Sequence, residues 1–208
     1  MPHMTPTAVV FDLGNVLIDW NPRYLYRQLF DGDEAAMEYF LAEVCHSAWN
    51  EEQDAGRSFA DGIAEAIGRH PHEAERIRAY YTRWEETLGG PMADTLAILE
   101  ELRGGEQRLL ALTNWSAETF PVALQRYEFL SWFEDIVVSG REKLKKPDPA
   151  IFQLLLQRAA LEPAATVFID DSPRNVAAAR ALGIQALHFT SAAQLRQDLR
   201  ELGVALRA

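Results

Sequence analysis

Apolar residues fall into two kinds of run along the chain. Val9-Val10-Phe11, RLLALTN (108–114), DIVVSG (135–140), TVFIDD (166–171) and QALHF (185–189) are short and largely unbroken. Apolarity without alternation predicts strands covered on both faces, hence a parallel sheet. Segments flanking these later runs instead repeat apolar residues every three or four positions. From about Met92 to Arg103, Leu96, Leu99 and Leu102 share one side, and Gly104-Gly105 ends the segment. Asp148-Pro149 opens a helix carrying Ile151, Leu154 and Leu155. Ser172 and Pro173 open another, with Val176, Ala179 and Leu182 on one face and Gly183 as its stop.

Residues 20–89 have a different character. They are rich in aromatic and charged side chains, contain no convincing strand, and read as three or four helices. The pattern predicts an α/β fold, a Rossmann-like parallel sheet with helices on both faces, carrying an inserted α-helical cap. Residues 1–19 and 90–208 form the core on this reading and 20–89 the cap, with Gly89-Gly90 marking the return and a possible hinge.

Composition narrows the function classes. The 208 residues are long enough for a proper core, and no apolar run approaches the roughly 20 residues of a membrane span. MPHMTPT has no basic region and AVVF is too short for a signal peptide. With the single Cys45 no intrachain disulfide is available, so a reducing, cytoplasmic setting is expected. The net charge of −11 argues against nucleic acid or an anionic membrane as partner. A small molecule is the expected partner, for a monomer or homodimer. An anionic substrate would then need a local cation.

Four signals stand where predicted strands end: Asp12, Thr113-Asn114, Lys146 in KKPDP, and Asp170-Asp171. In an open parallel sheet ligands bind outside the carboxyl ends of the strands. Each signal has a plain alternative. Asp12 could be a turn residue, Thr113-Asn114 a helix cap, and Lys146 part of a solvated loop with Arg141, Lys143 and Lys145. Asp170-Asp171 could be helix-dipole stabilisation, but adjacent carboxylates repel without a cation. Taken together the set suits phosphoryl transfer through an aspartyl phosphate. Mg²⁺ takes hard carboxylate oxygens, while Lys146 and the Thr113 hydroxyl can hold the remaining phosphate oxygens.

The order and spacing resemble the haloacid dehalogenase (HAD) superfamily, in its phosphatase branch with a helical cap. VVFDLGNVL resembles the first motif, LLALTN the second, SGREKLKKPDPAIF the third and VFIDDSPRNVAAARALGI the fourth. The resemblance implies Asp12 as nucleophile, Thr113 and Lys146 as catalytic groups, and Thr113, Asn114 and Lys146 on the phosphate. It implies Mg²⁺ held by Asp12, the Gly14 carbonyl and Asp171, with Asp170 assisting and Asn175 in support. The implied substrate is a small phosphate ester. The FDLGNV form is similar to a subgroup containing bacterial α-D-glucose-1-phosphate phosphatases, which implies a sugar phosphate.

One departure matters. Family phosphatases carry a second aspartate two residues after the nucleophile as general acid and base, and here Gly14 stands there. A glycine keeps the metal-binding carbonyl but not the proton donor, whose contribution is typically about 10²- to 10⁴-fold in rate. Asp19, His46 and an acidic leaving group are the candidate substitutes. In AWNEEQDAGRSF, the residues Trp49, Asp54 and Arg57 are candidate substrate contacts, outside the expected catalytic set. A metal-free dehalogenase is the rival enzyme, expected to lack the acidic pair. A non-catalytic binding or regulatory protein of the same fold is the rival outside enzymology.

Overall fold

The computed structural model describes residues 5–206. Its central sheet contains β1 (Ala8–Phe11), β4 (Arg108–Thr113), β5 (Asp135–Val138), β6 (Thr166–Asp170) and β7 (Gln185–His188). The order is β5-β4-β1-β6-β7 and every pairing is parallel. β1 therefore lies at the centre, between β4 and β6.

Burial on both faces explains the unbroken apolar runs. Val9, Phe11, Ala111 and Ile169 point to one side, where they meet α6 (Ala93–Arg103) through Ile98 and Leu99 and α11 (Ala192–Glu201) through Leu195 and Leu199. Val10, Leu110, Leu112 and Phe168 point to the other. There they pack on α9 (Pro149–Arg158) through Ile151 and Phe152, and on α10 (Pro173–Ala181) through Val176 and Ala179. Full burial of such a side chain stabilises by roughly 1.5–3 kcal/mol, so each strand is held from both sides. The capping at Asp148 is as expected, with its carboxylate accepting from the Ala150 N–H at 2.9 Å. Ser172 occupies the N-cap position of α10, but its side chain makes no cap bond.

Two features depart from the expectation. β2 (Ile18–Trp20) and β3 (Leu88–Pro91) pair antiparallel, so Gly89-Gly90 lies inside a two-stranded ribbon. Between them come five α-helices rather than three or four: α1 (Arg23–Leu29), α2 (Glu34–Glu43), α3 (Ser47–Asp54), α4 (Phe59–Arg69) and α5 (Ala74–Thr82). The extra break falls after α3, where Gly56 adopts φ +100°. These helices pack around Tyr26, Phe40, Trp49, Phe59 and Tyr80, all buried and linked by ring contacts such as Trp49–Tyr80 at 5.1 Å between centroids. The last long element before β5 is α7 (Phe120–Arg126), and α8 (Ser139–Glu142) follows β5 directly. Among the described residues, no helix is long and apolar enough to cross a membrane.

Candidate active site

Strand register assembles the site. Phe11 pairs with Ala111 on one side and Ile169 on the other, so one residue further on Asp12 stands level with Leu112 and Asp170. Asp12 continues the ladder by donating its N–H to the Ile169 carbonyl at 2.8 Å. Its Oδ1 accepts from the Leu13 N–H at 2.7 Å and lies 2.9 Å from the Lys146 Nζ, which together fix the plane of the carboxyl.

Lys146 is the buried cation of this cluster, with a fully covered side chain. Its Nζ lies within 2.9 Å of three oxygens: Asp12 Oδ1, Asp170 Oδ2 at 2.7 Å and the Leu112 carbonyl at 2.8 Å. An ammonium has three donors, so all are used. Burial alone would lower its pKa, but Asp12 and Asp170 outweigh that and raise it. Lys146 thus stays charged.

Asp170 is saturated as well. Beyond Lys146 it accepts from Asn175 Nδ2 at 2.9 and 3.1 Å and from the Ser172 N–H at 2.8 Å. It orients Lys146 rather than offering free lone pairs. Asp171 is more exposed than the other two, and burial and then the charge of Asp170 raise its pKa. Oxygens of Asp12, Asp170 and Asp171 all lie within 4.8 Å of one another. Burial pushes the Asp12 carboxyl above its ordinary range; Lys146 opposes this, and Asp170 and Asp171 add to it. Three carboxylates facing one ammonium form a site short of positive charge. That donor set, hard oxygens with an uncompensated negative charge, fits Mg²⁺. With Asp170 already committed, Asp12 and Asp171 are the carboxylates that would hold the ion.

Gly14 lies in the tight turn after β1. Ile18 N–H donates to the Leu13 carbonyl and Asn15 N–H to the Ile18 carbonyl, and neither bond engages the Gly14 carbonyl. Thr113 ends β4, buried and next to the Asp12 level. Asn114 is tied to Lys146. Its Nδ2 donates to the Lys146 carbonyl at 2.9 Å and its Oδ1 accepts from the Lys146 N–H at 2.8 Å. Both polar atoms of the carboxamide hold the main chain of Lys146. Asn114 thus positions Lys146 while also lining the cavity beside Gly14 and Ser116, and these two bonds use only one of its two Nδ2 hydrogens.

The other candidates are distributed unevenly. A narrow cavity of about 70 Å³ is lined by Gly14, Asn114 and Ser116 from the core and by Asn50, Asp54 and Phe59 from the helical segment, with Trp20, Trp84 and Trp115 as aromatic walls. Asp19 and His46 line a different, larger depression on the far side of Trp20. Asp19 accepts from the Tyr24 hydroxyl at 2.6 Å, and His46 Nδ1 caps α3 by accepting from the Trp49 N–H at 3.1 Å. Neither reaches the Gly14 cavity. Trp49 is core, donating Nε1–H to the Gly62 carbonyl at 3.0 Å. Arg57 pairs with Glu65 and Gln53. Asp54 alone of the three turns into the cavity. In the sequence all three were candidate substrate contacts alike, and nothing local set Asp54 apart.

Residues 6–183 match the haloacid dehalogenase-like hydrolase family. The sesquiterpene phosphatase astK of Aspergillus oryzae is 28% identical over 196 residues, covering 94% of this chain and 95% of that protein. The N-acylneuraminate-9-phosphatase of Mus musculus is 35% identical over 185 residues, 79% of this chain and 74% of its own. Three further relatives are longer proteins, of which this chain spans 36%, 43% and 8%. The HAD family enzyme bt-2542 of Bacteroides thetaiotaomicron, crystallised with magnesium and inorganic phosphate, shares the fold with a TM-score of 0.68 at 23% identity, over 89% of this chain and 94% of that one. Asp12, Thr113 and Asp170 stand at three strand ends of the parallel sheet, and Lys146 lies in the loop after α8, not at a strand end as expected. With a family match over most of its length, this chain is thus a member of the haloacid dehalogenase-like hydrolases.

Proposed function

We propose that the chain is a Mg²⁺-dependent phosphatase of small phosphate monoesters, working through an aspartyl phosphate on Asp12. The observation that carries this reading is the buried cluster itself: one lysine, bonded on all sides, against Asp12, Asp170 and Asp171. A dehalogenase acting on a neutral carbon–halogen bond has no use for the extra negative charge, whereas a phosphate-binding metal ion does. The phosphatase relatives point the same way.

Asp12, Asp171 and the Gly14 carbonyl would hold the ion, which when bound supplies charge neutralisation for the phosphate. The chain's own groups do the rest. An oxygen of Asp12 forms a bond to phosphorus while the ester P–O bond breaks and the leaving oxygen takes up a proton. Water then attacks the phosphorus of the acyl phosphate, loses a proton, and frees Asp12 and inorganic phosphate. Lys146, held by Asn114 and Asp170, favours the ionised form of Asp12 and orients it; Thr113 offers its hydroxyl to a phosphate oxygen. Residues 20–89 act as the cap over a core of 1–19 and 90–208.

For the leaving group, Asn50 and Asp54 beside aromatic walls offer the kind of polar contacts a sugar would use. The walls of Trp20, Trp84 and Trp115, together with the likeness to a sesquiterpene phosphatase, favour a second reading in which it is an apolar alcohol. Phosphate release from p-nitrophenyl phosphate, with and without Mg²⁺ and in the Asp12→Asn variant, tests the activity. Equal rates in all three would refute it. Relative kcat/KM on glucose 1-phosphate and farnesyl monophosphate separates the two leaving groups.

A further inference from the structure

Gly14 leaves the leaving oxygen without the neighbouring carboxyl that phosphatases of this kind use. We propose that Asp54, contributed by the helical segment, is the general acid and base of this reaction. The inference rests on the phosphatase reading above.

Placement comes first. Asp54 is the last residue of α3 and lines the same cavity as Gly14, Asn114 and Ser116. It thus faces the turn after Asp12 and the loop after Thr113 from above. The main chain there is fixed from several directions. Ser139 Oγ donates to the Asp54 carbonyl at 2.5 Å and accepts from the Trp115 N–H at 2.9 Å, so one hydroxyl ties α3 to the loop after Thr113. Gly56 lets the chain turn at φ +100°, and a Cβ there would stand 3.0 Å from Lys143 Cγ and 3.2 Å from the Gly140 carbonyl oxygen. Only a glycine permits that conformation at that approach. Glu51, one turn earlier, bonds Lys145 at 2.8 Å and lies 3.5 Å from Arg174, which adds two contacts from α3 to the core.

The side chain is held as firmly. Asn50 Nδ2 donates to Asp54 Oδ2 at 3.1 Å, and the nearby Ser116 main chain favours the carboxylate. The charged and titratable groups around it are mixed. Lys145 and Lys146 favour the carboxylate; Glu51 disfavours it, and the Tyr80 hydroxyl lies near. A helix C-terminus adds partial negative charge. Burial outweighs the cations and pushes the carboxyl up to about 7. A group poised near neutrality can give a proton in one step and take it in the next.

Both half-reactions then balance. Protonated Asp54 donates to the ester oxygen as the P–O bond breaks, so a neutral alcohol leaves and Asp54 becomes a carboxylate. That carboxylate takes the proton from the water that attacks the aspartyl phosphate, and Asp54 is protonated again. Asp19 and His46, on the other side of Trp20 and bonded elsewhere, do not offer this path.

The test compares leaving groups in the Asp54→Asn variant, which keeps the shape. Proton donation matters for an alkyl phosphate and little for p-nitrophenyl phosphate, whose phenolate leaves unaided. The expected result is a loss of about 10²- to 10⁴-fold in kcat/KM for the alkyl ester, with p-nitrophenyl phosphate within about tenfold of wild type. Rapid mixing of the variant with p-nitrophenyl phosphate should also show a burst of phenolate before slow turnover, because base assistance to water is lost. Equal losses on both substrates, or none on either, would overturn the proposal. Should the variant not fold, the wild-type pH profile decides: kcat/KM must fall at high pH for the alkyl ester and not for p-nitrophenyl phosphate, and identical profiles would overturn it. Absence of Mg²⁺-dependent hydrolysis in the wild type would instead defeat the phosphatase reading itself.

Discussion

Putting a carboxylate back at position 14 should make Asp54 dispensable. An added Cβ on Gly14 meets no heavy atom within 4 Å, and its φ lies outside the left-handed region, so the main chain accepts a Cβ there without strain. Losing a glycine at a compatible site stabilises by about 0.4–1 kcal/mol through the unfolded chain. Against this, a further negative charge several ångströms from the Asp12 cluster costs roughly 1–3 kcal/mol at an effective dielectric near 20. The metal-free variant should therefore be between unchanged and roughly 2.5 kcal/mol less stable, and folded. Its kinetic effect depends on the background. With Asp54 intact the gain on an alkyl phosphate should be under about tenfold, because a proton donor is already present. In Asp54→Asn the same change should recover most of the lost 10²- to 10⁴-fold. The assay is kcat/KM for wild type, both single variants and the double variant, read as a double-mutant cycle. Two results would refute the reasoning: a double variant as slow as Asp54→Asn, or a full-sized gain in the wild-type background.

Other substitutions probe the supports. Lys146→Met leaves Asp170 buried without its cation, and breaking such a pair typically costs about 3–5 kcal/mol; a denaturant midpoint unchanged from wild type would contradict this. Asn114→Ala removes two hydrogen bonds to the Lys146 main chain, each worth about 0.5–1.5 kcal/mol. Its kcat should fall more than its KM rises, and a pure KM effect would return Asn114 to the substrate. The Asp54 carboxyl is raised on folding from 3.8 to about 7, so the folded chain binds an extra proton between those values. Its stabilising contribution is complete below the unfolded value and is lost as pH rises through about 7. Unfolding free energy measured without Mg²⁺ should thus decline less between about pH 5 and pH 8 in Asp54→Asn than in wild type.

The parts legible in the sequence are those fixed by local chemistry. Strands buried on both faces need unbroken apolar runs, so all five strands of the sheet were visible, and with them the ends at Asp12, Thr113 and Asp170. The ribbon of β2 and β3 was not, because three and four residues that include Gly89-Gly90 carry no apolar signature. The hold of Asn114 on Lys146 was not legible either, because the two are 32 residues apart and meet only in the folded chain. In the sequence Asp54 stands with Trp49 and Arg57 as a candidate substrate contact, with nothing local to mark it as a proton donor. What singles it out, the clasp of Ser139 and the turn at Gly56 against Gly140, is tertiary. The vacancy at Gly14 was plain from the start; the group facing it became visible only once α3 was set over the sheet.

The central claim is covalent, and one measurement addresses it directly. The chain is mixed with a ³²P-labelled phosphate ester and Mg²⁺, quenched in acid within the first turnover, and digested to locate the label. The account predicts Mg²⁺-dependent label on the peptide containing Asp12, and none in Asp12→Asn. Phosphate release with no labelled chain, or label on any other residue, would contradict it.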